Sequence, residues 1–155
     1  MRILSLSLLI VAMTVFTGCN RTIEGRLPTY KVVGTIKYAG KPLDNADIIL
    51  QFAQHDKASF ARTNSAGEFS LGTYEANDGA LAGEALITVT KWEQLPMSNA
   101  LVAGDPGYDP SKAYVAEKEP KLLVPQKYTN FKTSGLKVII EPSKTNPPLN
   151  LELND

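Results

Sequence analysis

From Tyr30 onward, apolar side chains return at every second position in short runs, each bounded by glycine, proline, asparagine or aspartate. An extended chain turns successive side chains to opposite faces, so this period predicts half-buried strands. Residues 30–38 place Tyr30, Val32, Ile36 and Tyr38 on one face, and residues 46–52 turn Ile48, Leu50 and Phe52 inward. Residues 57–63 pair back on that strand, and in 68–71 Phe69 and Leu71 share a face. Farther on, 85–92 aligns Ile87 with Val89, 135–141 aligns Leu136, Val138 and Ile140, and 149–153 alternates strictly. Turn chemistry fills two of the gaps, Ala39-Gly40-Lys41-Pro42 and Asn64-Ser65-Ala66-Gly67. The pattern predicts an all-β body of seven strands in one sandwich.

Two stretches break that rhythm. Residues 3–16 are apolar apart from Ser and Thr. The connection 93–126 carries Gly104, Asp105, Pro106, Gly107 and Pro110, which break any ladder and predict an exposed loop. Within it, Asp109 as N-cap and Pro110 at the first helical position predict a helix of about two turns, ended by Pro120.

Composition narrows the chemistry. Sixteen basic against sixteen acidic side chains provide no long-range field to hold polyphosphate, so no nucleic-acid partner is expected. A single cysteine excludes an internal disulfide framework or a CxxC site, and a single histidine, His55, removes most metal-ligand sets. His55 falls in the polar run Gln54-His55-Asp56-Lys57, where a solvated loop residue is expected and no general-base constellation can be built around it. We expect neither catalytic residues nor a cofactor or metal.

The N-terminus sets the compartment. The apolar run 3–16 follows Arg2 and is shorter than the ~20 residues a helix needs to cross a bilayer, which marks a secretory signal rather than a membrane span. It closes on Phe16-Thr17-Gly18-Cys19, which resembles the bacterial lipobox, with Phe16 in place of the usual leucine. That resemblance implies acylation (palmitate-type chains) of Cys19, cleavage of residues 1–18 and a membrane-anchored product, periplasmic or surface-facing, in a bacterial cell envelope. At ~0.8 kcal/mol per buried methylene, two or three acyl chains make release negligible. Residues 19–29 then act as a tether, and Asn20 in place of aspartate favours outer-membrane sorting.

The run from Val32 to Phe52, containing Gly40-Lys41-Pro42-Leu43 and the small Ala46, together with Thr63-Asn64-Ser65-Ala66-Gly67-Glu68-Phe69, resembles the carboxypeptidase regulatory-like domain. The resemblance continues through Asp78-Gly79-Ala80, Asp109-Pro110-Ser111-Lys112-Ala113-Tyr114 and Leu123-Val124-Pro125-Gln126-Lys127-Tyr128, as in small bacterial lipoproteins built from this domain alone. It implies a seven-stranded, transthyretin-like β-sandwich over 30–155, with Gly67 at positive φ and Phe69 in the core. Such domains serve as spacers, stabilisers and binding modules, so the implied function is that of a structural or interaction module. A transthyretin-type sandwich is also used by 5-hydroxyisourate hydrolases, but their histidine and arginine cluster and Tyr-Arg-Gly-Ser tail have no counterpart in a chain ending Leu151-Glu152-Leu153-Asn154-Asp155.

Candidate contacts remain. Asp78-Gly79 and Asn64-Ser65-Ala66-Gly67 carry oxygen ligands but lack the alternating acidic spacing of a calcium loop, so turn chemistry is the better reading. Lys41 is expected to be a solvated turn residue. Trp92 and Tyr128 are expected to cap the core, whereas Tyr108 and Tyr114 could contact an envelope protein or stack on a glycan through the 93–128 connection.

Overall fold

The computed structural model describes residues 25–95, 104, 106, 109 and 119–155. Among these, ten strands form: β1 (Thr29–Tyr30), β2 (Val33–Tyr38), β3 (Lys41–Pro42), β4 (Asp47–Phe52), β5 (Ala58–Arg62), β6 (Glu68–Ser70), β7 (Ala80–Leu81), β8 (Gly83–Thr90), β9 (Leu136–Ile140) and β10 (Leu149–Leu153). A 3-10 turn covers Gln126–Thr129, and no α-helix occurs among the described residues. Seven of the strands lie on the seven predicted runs. The other three span two residues each, too short to leave a period in the sequence.

β2 is the axis of the first sheet. β10 runs parallel to it along one edge, from Leu149 opposite Gly34 to Leu153 opposite Tyr38. The other edge is shared, with β6 antiparallel to residues 33–35 and β3 antiparallel to residues 37–38. The second sheet is antiparallel throughout in the order β5-β4-β8-β9. Apolar faces of both sheets meet in one core: Ile36, Phe69, Leu151 and Leu153 from the first, Ile48, Leu50, Phe52, Ala85, Ile87, Val89 and Ile140 from the second. Fully burying such a side chain contributes about 1.5–3 kcal/mol, which makes this layer the main source of stability.

Two details depart from the sequence pattern, each for a local reason. The first predicted strand is split at Lys31-Val32, because Tyr30 pairs with Ala80 of β7 whereas the Val32 carbonyl accepts the Leu71 N–H at 3.0 Å. The predicted face survives the break, with Val32 and Ile36 buried and Tyr30 and Tyr38 packed against the core. Trp92 does not cap the core; β8 ends at Thr90 and Trp92 stands 52% exposed, in an isolated bridge to Leu122. Tyr128 is buried as expected, and its hydroxyl donates to the Asn154 carbonyl at 2.9 Å. The predicted helix over 109–118 lies outside the described residues, save for Asp109.

Two turns show why the chain folds back where it does. Gly67 takes φ +74° and stands so close to the Ile36 carbonyl that a Cβ there would approach it to 2.5 Å. Asn64 builds the rest of that hairpin, its side-chain oxygen accepting the Ala66 and Glu68 amides at 2.9 Å each. The β2–β3 turn has both central residues in the left-handed region, Ala39 at φ 49° and Gly40 at φ 74°, as a type I′ turn requires. Alanine is a poor fit there, since left-handed backbone costs a residue with a Cβ about 1 kcal/mol. Ala39→Asn is therefore expected to stabilise the protein by roughly 0.5–1 kcal/mol, read as a higher urea midpoint with an unchanged slope; an equal or lower midpoint contradicts the turn assignment.

Candidate functional site

β5 lies at the edge of the four-stranded sheet, and one bridge joins it to the chain just after β6. Phe60 donates its N–H to the Gly72 carbonyl at 2.7 Å and accepts the Gly72 N–H at 2.9 Å. From there residues 73–79 form a loop organised by one carboxylate. Asp78 Oδ1 accepts the Thr73 amide at 2.6 Å, and Oδ2 accepts the Tyr74 and Glu75 amides at 3.1 Å each. Successive N–H groups converging on one anion form a concave nest, and charge-assisted bonds of this kind are the stronger class. The Thr73 hydroxyl donates to the Gly79 carbonyl at 2.8 Å, so the buried Ser59 hydroxyl is the donor in its 2.8 Å contact with Thr73.

This loop holds the segment that enters the domain. Tyr74 Oη accepts the Leu27 amide at 2.9 Å, Arg26 Nη1 pairs with Glu75 at 2.8 Å, and the Arg26 guanidinium lies 5.0 Å from the centre of the Tyr74 ring. Thr29 Oγ1 donates to the Asp78 carbonyl at 2.7 Å, and β1 pairs with β7 directly after the loop. Of the segment 19–29 read as a tether, the described residues from Arg26 to Thr29 lie docked on the body by side-chain and backbone bonds.

Between the loop and β5 runs a groove of about 470 Å³, lined by Phe60, Arg62, Asp47, Tyr74 and Asn77 among others. A second hollow of about 450 Å³ adjoins it through Arg62 and Ser70 and reaches Phe69, Glu68 and Pro148. Phe60 is 51% exposed and offers a flat apolar face. Beside it Arg62 grips Asp47 through two parallel bonds, Nε to Oδ1 at 2.7 Å and Nη2 to Oδ2 at 2.9 Å. The hydrogen bonds from Arg62, and then the Asp47 charge, hold the guanidinium pKa above its ordinary value. Two of the five guanidinium N–H donors are thereby engaged, leaving three for an oxygen-rich ligand. Chemically the groove supports recognition, an aromatic platform beside a fixed donor fork.

The sequence-predicted positions distribute unevenly. Cys19, Tyr108 and Tyr114 lie outside the described residues. Lys41 is exposed on β3. His55 is half-buried rather than solvated; its Nε2 donates to the Ala82 carbonyl at 3.2 Å and its ring lies 6.0 Å from that of Phe52, tying the β4–β5 hairpin to the start of β8. At Asp78 and Asn64 the oxygens are engaged by backbone amides, and among the described residues no three His, Cys, Asp or Glu side chains cluster to hold a metal ion. Phe60, Arg62 and Asp47 escaped sequence reasoning, although a signal exists: an aromatic on the polar side of a predicted strand, next to an arginine that the register sets opposite an aspartate.

The roots of the 93–126 connection are pinned as well. Lys121 O accepts the Glu93 amide and Lys91 O accepts the Leu123 amide, both at 2.7 Å, while Lys91 Nζ pairs with Asp44 at 2.6 Å. Comparison with protein-family models, curated proteins and solved structures finds no match to this chain.

The hydrogen bond from Lys91, reinforced by its charge, holds the Asp44 carboxyl below its ordinary pKa. Because the folded-state pKa is the lower one, the stabilisation is fully present above the unfolded carboxylate range near ~4 and is lost as pH falls through the folded value. Asp44→Asn should therefore reduce stability at pH 7 and make its acid-side decline shallower, measured as urea midpoints from pH 7 to pH 2.5; parallel curves for the two proteins contradict the linkage.

Proposed function

We propose that this chain is a non-enzymatic cell-envelope lipoprotein, an acyl-anchored β-sandwich that acts as a structural or interaction module at a membrane. The observation that carries the reading is the position of Cys19, directly after Thr17-Gly18 at the close of the apolar run 3–16. The body is taken to be a transthyretin-like sandwich of the carboxypeptidase regulatory-like type. In support, the seven longer strands divide into β2, β6 and β10 in one sheet and β4, β5, β8 and β9 in the other. In this reading attachment is covalent, through lipid on Cys19; among the described residues no helix is long and apolar enough to cross a membrane. The groove beside Phe60 and Arg62 is the surface offered to an envelope partner.

A second reading, a glycan- or peptidoglycan-binding module using the 93–128 connection, is favoured by the exposure of Trp92 at its root, since sugars stack on open aromatic faces. Glycan-array or cell-wall binding that disappears in Trp92→Ala, Tyr108→Ala or Tyr114→Ala would promote it, and absence of binding at millimolar glycan would remove it.

The anchoring claim is tested by Cys19→Ser. Native protein is expected in the membrane fraction with incorporated fatty acid, and the variant unlabelled and released from the membrane. A variant that remains membrane-bound and lipid-labelled overturns the proposal.

A further inference from the structure

The outer face of the four-stranded sheet carries a pattern that neither the core nor the groove uses. In register, Leu86 stands opposite Lys137 and Glu84 opposite Ile139. These four side chains point away from the core, whose β8 contributors are the alternate residues Ala85, Ile87 and Val89. They form a block in which the two apolar residues occupy one diagonal and the two opposite charges the other. Ile139 is 67% exposed and Leu86 41%. Toward β4 the apolar diagonal continues to Ile49, which pairs with Thr88 while Leu86 pairs with Gln51. The stripe Ile139, Leu86, Ile49 therefore crosses three strands obliquely.

Glu84 and Lys137 make no ion pair or side-chain hydrogen bond among the described residues. Diagonal neighbours on a sheet are about 7–8 Å apart, so the two charges are near but not joined through their backbones' spacing.

We propose that this face pairs with the same face of a second copy of the chain, about a two-fold axis lying along the apolar stripe. Rotation about that diagonal leaves its residues in place, so Leu86 meets Leu86 and Ile139 meets Ile139 of the other copy. The same rotation exchanges the two off-diagonal corners. Glu84 then lies over the other copy's Lys137, and Lys137 over its Glu84, giving two reciprocal ion pairs around an apolar seam. Strand and pair spacings are unequal, which offsets the corners by about 3 Å, within the reach of both long side chains. The strands of the two copies cross steeply, near the orthogonal class of sheet packing. No rotation about an axis along or across the strands does this, because each sets an apolar residue against a charge. An isologous interface needs self-complementarity of this kind.

The test is a charge exchange read by sedimentation equilibrium of the purified full chain, in density-matched mild detergent, with circular dichroism confirming that each variant is folded. The native protein is expected to show a concentration-dependent monomer–dimer equilibrium. Glu84→Lys alone, or Lys137→Glu alone, sets like charges against each other and should raise the dimer dissociation constant at least tenfold. The double variant, and an equimolar mixture of the two single variants, should regain native association, the mixture as a heterodimer. Monomer at every concentration up to ~1 mM, a range that covers even weak association, overturns the proposal. So does a dimer indifferent to the single exchanges, or single-variant losses that neither the double variant nor the mixture restores.

Discussion

One half-buried carboxylate decides how this chain enters its domain. Asp78 accepts the amides of Thr73, Tyr74 and Glu75, and the side chains of those three residues reach out to the segment that enters the domain and to the strands around the loop. Tyr74 and Glu75 hold Leu27 and Arg26, and the Thr73 hydroxyl reaches Gly79 and Ser59. Without an anion at position 78 the loop would present unpaired backbone donors and lose its shape, because loops without side-chain bonds lie at the low-stability end of a fold. The groove wall and the docked N-terminal segment are thus two outcomes of the same set of bonds.

The rest of the body makes that arrangement rigid. β2 is bonded along both edges, and at Gly34 the packing is so close that a Cβ would come within 2.6 Å of the Phe69 ring and nearer still to the Leu149 carbonyl. A glycine here lets an aromatic from β6 lie across the strand, which locks the β2–β6 pairing that Val32 and Leu71 extend. On the second sheet β4 and β8 play the corresponding role, each paired along both edges, and of their outward side chains Glu84 and Leu86 stand exposed while Thr88 is buried. The groove at β5 and the stripe across β4, β8 and β9 therefore share one sheet face, with Phe60 near Ile49 at their boundary.

Much of this fold was legible because burial imposes a period. Ile48, Leu50 and Phe52 announce an inward face whatever follows them, and Leu149, Leu151 and Leu153 do so at the other end of the chain. Gly67 was readable because a hairpin demands positive φ there. What the pattern could not carry was partnership. Nothing in the alternation of 30–38 says that Tyr30 joins Ala80 while Val33 joins Ser70. Trp92 looked like core because aromatics bury well, yet its strand stops two residues earlier and leaves it outside. The site fared worse than the fold. Asp78 reads as an ordinary turn residue beside Gly79, and its role depends on three amides whose convergence only the folded loop creates. Asp47 and Arg62 lie fifteen positions apart and become a pair only through the β4–β5 register.

The most direct test of this account is residue-resolved amide hydrogen exchange on native protein and on Asp78→Ala. If the carboxylate governs the entrance to the domain, the variant loses protection at Thr73 to Glu75 and, together with them, at Leu27 and along β1 and β7, while β4 and β8 keep their native protection. Native protection at Leu27 and along β1 in the variant would contradict it.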